Sequence, residues 1–188
     1  MPRQHSLRPD ERLIIGITGR IGAGKTSVGK YIESRYGFFY VRYSQVLSEW
    51  MAQDPDSKTH LQAVGWKVMA GGMQQGLNDR VIARLESRGD CVVDGLRHPL
   101  DFENLSTTFP SQFRLLCVES PASMRWQRLM PRYHAVEAFQ SADSHPVEQQ
   151  IDSLCESAFA ALKNNGTLDE LYLGVDEVMK RIRPGGQP

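Results

Sequence analysis

The stretch that most constrains this chain is Gly19-Arg20-Ile21-Gly22-Ala23-Gly24-Lys25-Thr26, which fits G-x-x-x-x-G-K-T in full. It follows a β-branched apolar run, Arg12 to Thr18 (RLIIGIT), that reads as a buried strand. It precedes KTSVGKYIESRYG, where Val28, Tyr31 and Ile32 fall at helical spacing and Gly37 signals the stop. Glycines without a Cβ let successive backbone N–H groups converge on an anion. The helix N-terminus behind them adds a positive field. Lys25 is long enough to reach β- and γ-phosphates, and the Thr26 hydroxyl suits Mg2+. The residues expected around a nucleoside triphosphate are therefore Gly19, Arg20, Ile21, Gly22, Ala23, Gly24, Lys25, Thr26 and Ser27. The plain alternative is a glycine-rich turn with a chance lysine. It leaves the strand before and the helix after unexplained.

The rest of the chain repeats the alternation. FFYVRY, CVVDG, FRLLCVES and AALK read as further strands. SQVLSEWMA (capped by Ser44), THLQAVGWKVMA, LNDRVIARLESRG, HPLDFENL, PASMRWQRLM, VEQQIDSLCESAF and TLDELYLGVDEVMKRI read as helices. GGMQQG reads as loose, Pro131 as a helix stop, and PRYHAVEAFQSADSHP as weakly patterned. Strands alternating with helices imply an α/β fold with a doubly wound parallel sheet. One domain over 12–183 is expected, with a lid at about 125–146. Residues 1–11 read as a flexible N-terminus and 184–188 as a disordered tail.

Composition excludes more than it assigns. The 188 residues carry 22 basic and 22 acidic side chains. Such a balance argues against a nucleic-acid binder, which needs a strong positive field. No apolar run is long enough for a membrane span, and the N-terminus lacks a signal core. Cys91, Cys117 and Cys155 are far apart with no C-x-x-C pair, so neither zinc nor a redox motif is expected. Cys91 and Cys117 read as small buried hydrophobes, and the usage suits a reducing, cytoplasmic setting. A monomer or homodimer is expected.

Two further features bear on chemistry. CVVDG ends in Asp94, where a strand-end carboxylate can help hold Mg2+, or can simply serve a turn. Gly95 stands where many P-loop motor ATPases carry a water-activating glutamate, which speaks against a dedicated hydrolase. No N-K-x-D guanine motif occurs. Arg125, Arg128 and Arg132 share one helical face. That face is either a solvated stripe or a clamp on a transferring phosphoryl group. Arg97 is a phosphate contact or a surface residue. Asp143, His145 and Glu148 form a polar group, which the Ser144-Pro146 context reads as a plain helix start.

Taken in order, the phosphate loop, DGLR, the arginine helix and NNGTLDEL resemble the P-loop nucleotide kinases. Within them the chain is similar to dephospho-coenzyme A kinase, through N-N-G-[ST]-L. It is also similar to adenylate-kinase-like proteins and to the kinase-like domain of deoxycytidylate-deaminase-related proteins, through HLQAVGWKV and DGLRHPLDFENL. The resemblance implies a three-layer P-loop NTPase fold with a five-stranded parallel sheet and a small helical lid, the Asp94 strand lying beside the loop strand. It implies ATP and Mg2+ as cofactors, held by Thr26 and Asp94. It places Asn165 and Gly166 beside the adenine and makes Lys25, Asp94, Arg128 and Arg132 the catalytic set. A (deoxy)nucleoside monophosphate is the expected acceptor, near Arg42, Ser44 and Arg97. One departure matters: Ser44 and Gln45 stand where these families place an acid. A sugar hydroxyl needs such a base, whereas a phosphate oxyanion needs only positioning. A dephospho-coenzyme A kinase-like enzyme and an ATP-binding regulatory module are the alternatives.

Overall fold

The computed structural model describes residues 12–51 and 58–183; the expected N-terminal extension and C-terminal tail lie outside the described residues. In chain order the elements are β1 Ile14–Thr18, α1 Lys25–Tyr36, β2 Phe39–Arg42, α2 Tyr43–Trp50, α3 Lys58–Ala70 and α4 Gln74–Glu86. Then come β3 Cys91–Leu96, α5 Pro99–Thr108, β4 Phe113–Glu119, α6 Ala122–Tyr133 and α7 Val136–Asp143. A 3-10 turn at Pro146–Glu148, α8 Ile151–Glu156, β5 Ala160–Lys163 and α9 Leu168–Ile182 complete the chain.

The five strands form one parallel sheet in the order β2-β3-β1-β4-β5. The expected five-stranded parallel sheet is therefore present, with the Asp94 strand directly beside the loop strand. β1 is buried on both faces, which is why its sequence is a continuous apolar run rather than an alternation. Ile14 points into a core shared with α2, α4, α5 and α8. Leu13, Ile15 and Ile17 point into the opposite core, against Val28 and Ile32 of α1 and Val175 and Met179 of α9. Each such side chain contributes roughly 1.5–3 kcal/mol of burial. Two layers of helices around one sheet put the carboxyl ends of β1, β3 and β4 at a common edge, where open α/β sheets place their ligand crevice.

Several local expectations are corrected. Pro131 does not stop α6, which runs through it to Tyr133. A proline this close to the C-terminal end costs a single helical bond. The helix closes at His134, in the left-handed region at φ 58°, whose N–H bonds Met130 O at 2.9 Å. The weakly patterned segment after it contains α7, folded because Phe139 is buried against Trp126 and Tyr133. GGMQQG is not wholly loose: α4 starts at Gln74. Ser44 is not a cap but lies in the first turn of α2, and Arg42 holds the N-cap position without a side-chain bond.

Cys117 is buried as expected, yet it is not a lone thiol. It is disulfide-bonded to Cys155, with 5.1 Å between Cα atoms and a sequence separation of 38. The bond ties β4 to α8, and spacing along the chain carries no sign of it. Among the described residues no helix is long and apolar enough to cross a membrane.

Candidate active site

The loop between β1 and α1 requires its glycines. Gly24, the N-cap of α1, sits at φ 105°, and a Cβ there would collide with the Asn164 amide. Gly19, at φ 142°, packs so closely on the Val118 carbonyl that no side chain fits. Lys25 folds over the loop, donating from Nζ to Gly19 O at 2.6 Å and Arg20 O at 3.1 Å. This buried ammonium is held at the loop by those two carbonyls.

Asp94 ends up where a metal-holding carboxylate is useful. Register pairs it with Ile17 on one side and Arg42 on the other. Its Oδ2 accepts from Thr26 Oγ1 at 3.0 Å and from the Tyr40 hydroxyl at 2.7 Å. The two oxygens expected to serve Mg2+ are thus one hydrogen bond apart. Mg2+ keeps several waters and substrate phosphates as ligands, so one hydroxyl and one carboxylate fit it. No group of three or more His, Cys, Asp or Glu suited to a metal occurs among the described residues, so an all-protein cage is not offered. Tyr40 was missed by sequence reasoning, because in a strand it reads as ordinary core. Burial, and then the Asp94 charge, push its phenol well above the ordinary value, so it donates at neutral pH.

The three arginines of α6 do different things. Arg125 is buried and structural: it donates to Asp143 Oδ1 at 2.5 Å and Oδ2 at 2.9 Å, to Ile21 O at 3.1 Å and to Ser120 O at 3.1 Å. Arg128 reaches across the loop, donating to Asn164 O at 2.8 Å, Asn164 Oδ1 at 3.1 Å and Ser120 Oγ at 2.9 Å. Its Nη1 also lies 3.4 Å from Gly22 O. Arg132 lines the same cavity as Arg128. The spacing of three and four placed all three on one face; only packing separates the buried one from the two that face the cavity.

The polar group Asp143, His145 and Glu148 is more than a helix start. Asp143 pairs with Arg125 and lies 4.0 Å from Arg20, whose guanidinium also holds Asp152 at 2.7 Å. Glu148 is fully buried; its Oε2 accepts from Ile21 N at 2.9 Å and its Oε1 pairs with Arg97. His145 does cap the turn, accepting from Val147 N at 3.3 Å. The residues after β5 divide between core and surface. Asn164 is buried and donates to Ala23 O at 2.8 Å, tying the last strand to the phosphate loop. Asn165 and Gly166 are exposed in the turn before the Thr167–Glu170 capping box.

A cavity of about 370 Å3 opens beside the loop, and Lys25, Thr26 and Asp94 line it. Arg42, Arg97, Arg128 and Arg132 line it, as does Ser44. Gln45 does not line it and instead bonds Glu49 at 3.1 Å on the exposed side of α2. Besides Asp94, the carboxylates lining the cavity among the described residues are Asp101 and Glu148. Each is already engaged. Asp101 accepts from Arg97 N and His98 N at 2.9 Å each and from Gln74 Nε2 at 2.6 Å. Glu148 is held by Ile21 and Arg97 as above.

Known proteins share this architecture. The shikimate kinase of Bacteroides thetaiotaomicron superposes with a TM-score of 0.65 at 12% identity, over 92% of this chain and 99% of that one. The shikimate kinase of Acinetobacter baumannii, solved in complex with shikimate, gives 0.60 at 17% identity, over 92% and 94%. A gluconokinase of Sinorhizobium meliloti gives 0.59 at 16%, over 91% and 95%. The chain has the P-loop kinase fold. At these identities the likeness carries the fold and nothing finer. In sequence, the chain is 24% identical over 174 residues to a UPF0200 protein of Sulfurisphaera tokodaii, covering 90% of this chain and 97% of that protein. No family model matches.

Proposed function

We propose that the protein transfers the γ-phosphoryl group of ATP to a (deoxy)nucleoside monophosphate. The observation that carries this reading is the cavity beside the phosphate loop. It is lined by four arginines, while every carboxylate lining it among the described residues is already committed. A hydroxyl acceptor, as in a sugar or dephospho-coenzyme A, needs a base to take its proton. A phosphate acceptor is already an oxyanion and needs positioning and charge neutralisation instead.

In this reading the loop amides and Lys25 hold the triphosphate. Mg2+, when bound, draws charge from the β- and γ-phosphates; Thr26 would hold it directly and Asp94 through water. Arg128 and Arg132 neutralise charge that develops on the moving phosphoryl group. Arg42 and Arg97 hold the acceptor phosphate. Asn165 and Gly166 offer backbone contacts to the adenine.

The test is ADP release from ATP and Mg2+ by the purified full chain. The panel is nucleoside and deoxynucleoside monophosphates, dephospho-coenzyme A, shikimate and gluconate. Turnover above the acceptor-free background with a monophosphate supports the reading. Turnover with a hydroxyl acceptor alone overturns it. Tight ATP binding with no acceptor dependence assigns a regulatory module instead.

A further inference from the structure

The cavity wall contains a polar group whose bonding is incomplete. Gln74, at the start of α4, lines the cavity and is 3% exposed. Its Nε2 is spent on Asp101 Oδ1 at 2.6 Å. Desolvation pushes the buried Asp101 carboxyl up, and against it Oδ2 accepts two backbone N–H bonds that favour the ionised form, to which the amide presents its nitrogen. Gln74 Oε1 is left buried with no hydrogen-bond partner. A buried carbonyl without a donor is a costly arrangement that a bound group can relieve.

Its surroundings define what that group is. Leu47, Met69, Leu77 and Val147 supply apolar walls, with Gly65 leaving room between them. Gln62, also on the wall, has its own Nε2 committed to Ala142 O at 2.9 Å. The Tyr43 hydroxyl is committed to Asn78 Oδ1 at 2.8 Å. This part of the wall therefore presents one unpartnered amide oxygen on a slot for a largely apolar body. A ligand carbonyl here would meet lone pairs, while an amino group would meet an acceptor.

Resting on the monophosphate reading above, we propose that the acceptor carries a base with an exocyclic amino group, cytosine-like or adenine-like, and that Gln74 Oε1 accepts one of its N–H bonds. Gln74 is a specificity-determining residue in this arrangement, and Asp101 is the residue that positions its amide. A base with an oxo group at the same position places oxygen against oxygen and is rejected.

The experiment compares pairs that differ only in that substituent: CMP with UMP, and AMP with IMP. ADP release is measured for the full chain with ATP and Mg2+. At least one pair is expected to favour the amino member by about tenfold or more in kcat/KM. In Gln74→Met, which keeps length and removes the amide, that ratio is expected to fall to within about threefold. Far-UV circular dichroism and Tm verify that the variant is folded. A parent ratio near one in both pairs overturns the inference whether or not the variant folds, while leaving the kinase reading intact. A ratio that Gln74→Met does not move assigns discrimination to another residue and also overturns it. Absence of turnover with every monophosphate overturns both readings together.

Discussion

Glu148 Oε2 accepts the Ile21 backbone N–H at 2.9 Å while its other oxygen pairs with Arg97, so one buried carboxylate joins the glycine-rich loop to the start of the segment after β3. Glu148 is fully buried, and the Arg97 side chain is 27% exposed. Removing a partner of a buried pair leaves a charge and an N–H unpaired. Glu148→Ala is expected to cost about 2–4 kcal/mol, the Arg97 side being discounted for its exposure. Glu148→Gln keeps an acceptor for Ile21 N and is expected to cost less. Urea denaturation of the two variants decides this. Equal losses would show that the loop bond is worth little and that charge is everything.

Arg125 and Arg128 lie one turn apart and should separate cleanly. Arg125→Ala breaks a buried bond to Asp143 and is expected to lower stability by about 3 kcal/mol or more. Arg128→Ala is expected to leave the fold in place. It should lower kcat and kcat/KM together by about 10²-fold, with little change in ATP affinity, if it acts only in the transition state. Rate and binding measured on the same samples settle both. A rate within about twofold of the parent would reduce Arg128 to a strut on Asn164.

Tyr40, whose ring packs on Gly29 and Lys30 of α1, donates to the same Asp94 oxygen as Thr26. Tyr40→Phe removes one bond to a charged acceptor and is expected to cost about 1.5–3 kcal/mol of stability. Asp94→Asn is expected to raise the Mg2+ concentration needed for half-maximal ATP-dependent activity, because an amide is a poorer ligand than a carboxylate. A Mg2+ titration of the two variants checks whether the carboxylate acts on the metal. No shift with Asp94→Asn would restrict it to holding Thr26.

His145 supplies a pH dependence with a definite sign. Desolvation, and then the nearby Arg97 charge, lower the imidazole pKa below its ordinary value. The neutral ring accepts the Val147 N–H; a protonated one has no lone pair to offer. The folded-state pKa is depressed, so this contribution is present above about pH 6.5 and is lost as pH falls through the folded value. His145→Asn keeps a capping acceptor and removes the titration. Its stability is expected to vary less with pH just below 6.5 than that of the parent. Parallel slopes would exclude His145 as the source.

The Cys117–Cys155 bond closes a loop with a separation of 38 residues. In the chain-entropy account such a closure is worth at most about 4 kcal/mol. Thiol reductant is therefore expected to lower the Tm, and Cys155→Ser is expected to abolish that sensitivity. A Tm indifferent to reductant would show that the two cysteines serve as thiols in solution.

Much of the architecture was readable because its causes are local. Ile14 to Ile17 announced a buried strand by an apolar, mostly β-branched run, Gly37 announced a helix end, and Gly19 to Thr26 announced a phosphate loop by its closely spaced glycines ahead of Lys25. Asp94 was legible as the end of an apolar strand, but its place beside the loop strand came from the family resemblance, since alternation alone does not say that β3 and not β2 adjoins β1. What tertiary structure alone decided are relations between side chains distant in sequence. Arg125, Arg128 and Arg132 look alike along the chain; Asp143 and Asn164, brought in by later elements, make one a buried strut and leave another on the cavity wall. Pro131 reads as a stop, but one lost helical bond is outweighed by the packing around it. Glu148 reads as a first-turn acid until the fold carries it 127 residues back to Ile21. The pairing of Cys117 with Cys155 and the unpartnered oxygen of Gln74 are of the same kind. Local conformational preference is written into neighbouring residues, whereas pairing of charge, polarity and sulfur depends on which elements the packed core brings together.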